Sequence, residues 1–219
     1  MQEQTKITKE KILELYGDYL LIHGEKPKNV YLFAKENSFE EAEFYHFFSG
    51  FEQIEKEIFN YFFIKSMELT SEINSSEDVT SKEKLLNVYY IFFENLTMNR
   101  SLVLSILGSH PIRNIKILQE LRETHRQFIS TLDFKEWEML EKAKQDIRRI
   151  NEKTRQEALW LHLVSVIDFW KKDTSPDFEK TDIFIEKTID TGFELIENEP
   201  LRKVFDLGKF IWKEKFKTH

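Results

Sequence analysis

Cysteine is absent from the 219 residues, so no disulfide, thiolate metal site or cysteine nucleophile can form. Four prolines and six glycines leave little material for tight turns, and no alternating apolar pattern of the kind a half-buried strand needs occurs anywhere. No apolar run approaches the ~20 residues of a membrane span. The polar opening MQEQTKITKEK lacks the apolar centre of a secretory signal, so a cytoplasmic protein is expected. Glycine-rich phosphate loops and a GxSxG elbow are missing. His23, His46, His110, His125, His162 and His219 fall at no HxxxH or HExxH spacing. The expectation is no catalysis, no metal and no cofactor. Arginine is missing too until Arg100, which removes the commonest reader of phosphates and guanines from the whole N-terminal part.

The chain nonetheless has the means to build a core, since 41% of its residues are hydrophobic against 32% charged. Helical spacing and capping signals divide it almost wholly into α-helices, and an all-α fold is predicted. The first helix runs from about Thr8 to Ile22, with Ile12, Leu15, Tyr19 and Ile22 as its apolar stripe and Gly24 as its left-handed stop. Pro27 opens the second. Ser38 with Glu41 and Ser49 with Glu52 read as capping boxes for the third and fourth, and the fourth continues through Ile54, Ile58, Phe62 and Met67. A polar linker, 72–78, follows. Thr80 with Glu83 then caps a helix that carries Leu85 to Leu96, and Gly108 to Pro111 breaks the chain before a helix spanning Ile112 to Leu132. Asp133 with Glu136 starts the next, bearing Trp137, Leu140, Ile147 and Ile150. The apolar run Ala158 to Trp170 comes after it, Ser175-Pro176 interrupts, and two last helices flank Pro200.

Three short helices in a row, closed by the aromatic turn Phe44-Tyr45-His46-Phe47-Phe48, form a helix-turn-helix layout. Without a gap, this stretch resembles the N-terminal domain of the TetR family of bacterial repressors at Ile12-Leu13, Leu20, Gly24, Val30, Phe33-Ala34, Phe39, Phe44-Tyr45, Phe48, Glu52 and Ile54. The resemblance implies a TetR-like architecture: a helix-turn-helix domain over residues 1–54 and a larger helical ligand-binding and dimerisation domain over 55–219. It also implies a homodimer with a hydrophobic effector pocket, and a ligand-responsive transcriptional regulator. By the same resemblance Tyr45 contacts a DNA phosphate, with Lys28 and Lys35 as backbone contacts and His46 as a weak one; Tyr45 also fits an aromatic that merely fixes the turn.

Charge opposes the DNA contact. Residues 1–60 hold seven lysines and twelve acids, a net of −5, and Glu40, Glu41 and Glu43 occupy the expected recognition helix, with Phe51 where the family usually keeps a lysine. Affinity for DNA comes largely from neutralising phosphates, and a glutamate can only accept from a cytosine amino group. The alternative is a TetR-fold lipid- or isoprenoid-binding or adaptor protein that has lost DNA binding, similar in plan to the coenzyme Q biosynthesis lipid-binding protein.

Twenty phenylalanines supply the apolar matter. Tyr89, Tyr90, Phe92 and Phe93 point around more than half of one helix, so some must meet a second surface. Tyr89, Tyr90, Phe93, Phe128, Trp160 and His162 are the candidate lining of a pocket for a hydrophobic small molecule or lipid. A core role for each ring is the plain alternative, and for His162 a hydrogen-bonded core group. Residues 200–219 carry six basic and two acidic residues among Val204, Phe205, Leu207, Phe210, Ile211, Trp212 and Phe216. Such a helix either packs on the protein or its twin, or lies on a membrane surface.

Overall fold

The computed structural model describes residues 7–108, 111–133 and 145–197. The expected helix start at Glu136, with Trp137 and Leu140, and the basic aromatic segment 200–219 lie outside them. Among the described residues there are ten α-helices and no strand, so the fold is all-α, as expected. No helix among them is long and apolar enough to cross a membrane.

Capping accounts for the starts of the first five helices and for the stop of the first. Helix α1 (Lys9–His23) starts where the Thr8 hydroxyl accepts from Lys11 N at 3.2 Å, and it stops at Gly24, whose φ of 70° lets its N–H reach Leu20 O. Its buried stripe is Ile12, Leu13, Tyr16, Gly17 and Leu20, one step round from the expected one, and Ile22 lies 76% exposed. Helix α2 (Val30–Glu36) begins behind Asn29 rather than at Pro27. The Asn29 side chain accepts from Leu32 N at 2.9 Å, which satisfies a first-turn donor that proline leaves untouched. Helix α3 (Glu41–Phe44) does not use the Ser38 box. Ser38 is spent on a left-handed turn at φ 58°, and Glu43 instead accepts from Glu40 N at 3.1 Å.

Helix α4 (Phe51–Asn74) is preceded by Ser49, whose N–H and hydroxyl both donate to Gln53 at 2.8 and 3.1 Å, so Gln53 rather than Glu52 closes that cap. The helix also runs to Asn74, three residues into the expected linker. Helix α5 (Ser81–Met98) keeps its expected box: Thr80 N donates to Glu83 at 2.8 Å and Glu83 N to the Thr80 hydroxyl at 3.2 Å. Helices α6 (Arg100–Ile106), α7 (Pro111–Ile117) and α8 (Gln119–Thr131) follow, so the single helix expected over 112–132 is broken at Leu118. Helix α9 (Gln145–Lys172) is continuous, and a 3₁₀ turn over Pro176–Phe178 leads to α10 (Glu179–Glu197).

The chain forms two compact units, residues 1–71 with 91–127 and residues 72–90 with 128–219. The first unit is centred on Phe33, fully buried, whose ring meets Tyr16, Tyr19, Phe39, Phe44 and Phe51 edge-on at centroid distances of 5.6 to 6.4 Å. Edge-to-face packing of this kind gains from the ring quadrupoles beyond the area buried. The residues shared with the repressor head are mostly this core: Ile12, Leu13, Leu20, Val30, Phe33, Ala34, Phe44, Phe48 and Ile54 are all buried. Helix α1 packs on α6 at Gly17, where an added Cβ would stand 3.1 Å from Leu102 Cδ2. In the second unit α9 buries Trp160, Leu163, Val166, Ile167 and Trp170 at helical spacing, and α10 contributes Ile185, Ile189 and Phe193 at steps of four.

Candidate functional site

On the first unit, the four residues expected at a phosphate backbone all lie at the surface. Lys28 stands in the turn before α2, Lys35 sits on α2 with its Nζ 5.8 Å from the Tyr31 ring, and His46 follows α3. Tyr45 is 53% exposed, its ring edge on Phe44 and its hydroxyl donating to Glu41 at 3.4 Å. Tyr31, Ala34, Lys35, Ser38, Phe39, Glu40, Glu41 and Ala42 line one open groove between α2 and α3. The structure therefore gathers Lys35 with two of the three glutamates, and Lys28 stands outside the groove. The exposed tyrosines and lysines suit a polar surface, whereas the carboxylates oppose an anion there.

The first unit also holds polar groups that helical periodicity alone cannot single out. Glu55 is buried on α4 and accepts from the Tyr16 hydroxyl at 3.1 Å and from Lys26 Nζ at 2.9 Å; a buried carboxylate needs such partners. Further along α4, Asn60 accepts from Thr124 at 2.5 Å and Ser66 from Asn95 at 3.1 Å. Fully buried His125 on α8 sets its ring 5.7 Å from Phe63. These pairs tie α4 to α5 and α8. Phe93, one of the expected pocket residues, belongs to this unit, buried and edge-on to Phe92 at 5.5 Å.

The other five expected pocket residues are in the second unit. Tyr89 is fully buried and donates to Leu159 O at 3.3 Å, and burial pushes its phenol well above the ordinary tyrosine range. The His162 ring lies parallel to the Tyr89 ring, 5.8 Å away at 10°. His162 Nε2 is 2.7 Å from the Thr188 hydroxyl on α10, a partner that the sequence reading did not name, and burial pulls the imidazole down to about 4. Trp160 is buried and Phe128 half-buried. Tyr90 is part-exposed; its phenol is raised by burial and then by Glu186, Asp182 and Asp190 of α10. Tyr89 and His162 are thus brought into direct contact. Among the described residues no group of three potential ligands could hold a metal ion.

Between α9 and α10, Asp173 forms a closed polar knot. Its Oδ1 accepts from the Ser175 N–H and hydroxyl at 2.8 and 2.7 Å, and its Oδ2 from the Thr181 N–H and hydroxyl at 2.9 and 2.7 Å. Burial raises the carboxyl's affinity for a proton, but these four bonds outweigh it and hold the group at about 2. Because the folded value is depressed, the knot's stabilisation is present above the usual carboxylate range and is lost as pH falls through about 2. Asp173→Ala strands four donors and is expected to cost about 2 kcal/mol. Chemical denaturation of the variant beside wild type reads this directly, and a cost under about 0.5 kcal/mol would mean that water replaces the carboxylate.

The family model described as tetracyclin repressor-like, C-terminal domain, matches residues 84–211, more than half of the chain. No curated protein matches the sequence.

Proposed function

Because the chain belongs to the tetracyclin repressor-like family, we propose that it is a ligand-responsive transcriptional regulator. In this reading residues 1–54 form a helix-turn-helix head, residues 55–219 bind a hydrophobic effector and pair with a second copy, and effector binding alters the head's grip on DNA. The observation that carries it is the C-terminal domain match over 84–211, the part of such a chain that receives the effector and its twin. Three short helices closed by an exposed Tyr45, with Lys28, Lys35 and His46 also at the surface, support the head's role.

The acidic balance makes a specific forecast. With Glu40, Glu41 and Glu43 beside the contact face, phosphate attraction is opposed, so binding should be weak and confined to low salt. Fluorescence anisotropy with fragments flanking the protein's own gene, at ~50 mM salt, is expected to give saturable binding that fades as salt rises. Replacing the three glutamates by glutamine is expected to tighten it about tenfold or more, and Lys35→Ala to weaken it severalfold. Silence of both wild type and the triple variant at low salt would remove the DNA role.

A further inference from the structure

We infer that His162 selects the effector, which is a mainly apolar molecule without negative charge that brings a hydrogen-bond donor, a hydroxyl or N–H, to His162 Nδ1. The inference rests on the effector-responsive reading above and gives the effector its chemistry. The starting point is a tautomer fixed by geometry. Thr188 Oγ1 spends its own proton on Phe184 O, 2.6 Å away, with Ile185 O at 3.2 Å. At the contact with His162 Nε2, 2.7 Å, the hydroxyl can then only accept, so Nε2 carries the hydrogen. The remaining function of the neutral ring is a lone pair on Nδ1, which is buried and receives no hydrogen bond from the described residues. Buried polar atoms are otherwise satisfied almost without exception.

The tether to α10 uses only the Nε2 side of the ring, and the contact with Tyr89 uses only its face. Neither needs a second nitrogen. A dry acceptor beside Tyr89, with Trp160 and Leu163 buried on the same helix, matches an apolar molecule that carries one donor. Charge narrows the class further. Burial keeps the imidazole neutral, so an anion would find no cation there, and it would also meet Asp182, Glu186 and Asp190 around neighbouring Tyr90. Asp190 is itself paired with Lys82 at 2.7 Å. A protonated amine meets no such opposition and can donate to the same lone pair, so the sign that charge excludes is the negative one.

Phenol is the probe, with anisole (same ring, no donor) and benzoate (same ring, negative charge) as controls. Ring-nitrogen NMR of His162 in the intact protein is expected to show the Nε2–H tautomer, and phenol to shift Nδ1 toward hydrogen-bonded values while anisole leaves it unmoved. In calorimetry His162→Phe is expected to weaken phenol about five- to tenfold with anisole changed less than about twofold, and His162→Gln to recover part of the loss. Benzoate should bind worst. Phenol and anisole bound alike by wild type and His162→Phe would overturn the role of His162 while leaving a pocket in place. No binding of either would take away the pocket reading as well, and an Nδ1 already hydrogen-bonded in the free protein would refute the acceptor on its own.

Discussion

Phe33→Ala is expected to lower the stability of the protein by about 3–5 kcal/mol, the range for removing a fully buried ring from a packed core. Five aromatic rings from α1, the loop after α2, α3 and α4 converge on this one side chain, and none of them can relax into the space without losing its own edge contact. The loss therefore combines apolar transfer, a cavity and the quadrupole terms of several pairs. Phe33→Leu, which keeps most of the volume but no ring, should cost markedly less, about 1–1.5 kcal/mol. Urea denaturation followed by circular dichroism measures both. A Phe33→Ala penalty below about 1 kcal/mol would show that the ring cluster is not what holds α1 to α4 together.

Acid should weaken the fold through His162. In the unfolded chain this imidazole takes up a proton near its ordinary 6.5, whereas burial delays uptake in the folded protein to about 4. Between those values the unfolded state binds more protons, so stability is whole above pH 6.5 and falls as pH drops toward 4. The slope approaches 1.4 kcal/mol per pH unit at most, and since the side chain is not wholly enclosed, about 2 kcal/mol is the expected total. His162→Phe cannot take up the proton and should lack this component. The difference between wild type and variant denaturation midpoints, measured from pH 7 to 4.5, isolates it from every other carboxylate and histidine. Parallel curves over that interval would mean that His162 titrates as it does in water.

Much of the scaffold was readable because local chemistry decides it. Gly24 and the Thr80–Glu83 box each satisfy backbone groups within a few residues, and the structure uses both as expected. The region around α3 failed because two overlapping patterns compete there. Ser38–Glu41 has the better capping chemistry, but the packing of Phe39 and Phe44 against Phe33 needs Ser38 in the turn, and the less favoured Glu40–Glu43 pair takes over. The breaks at Asn99 and Leu118 carry no glycine or proline, so nothing local announces them. In the candidate pocket, Tyr89 and His162 were both named from the sequence and do meet. Thr188, 26 residues further on, could not be paired with His162 until α9 and α10 were folded together. Phe93 shares its helix with Tyr89, yet it belongs to the other unit, because the division between the two units falls inside that helix, between Tyr90 and Ile91.

A methyl group at Gly17 would stand 3.1 Å from Leu102 Cδ2, so it fits only if the Leu102 side chain gives by a few tenths of an ångström. Positions 17 and 102 are thereby coupled by steric fit. Among related chains, alanine or serine at 17 should travel with a shortened residue at 102, and a bulky 102 should be found only opposite glycine.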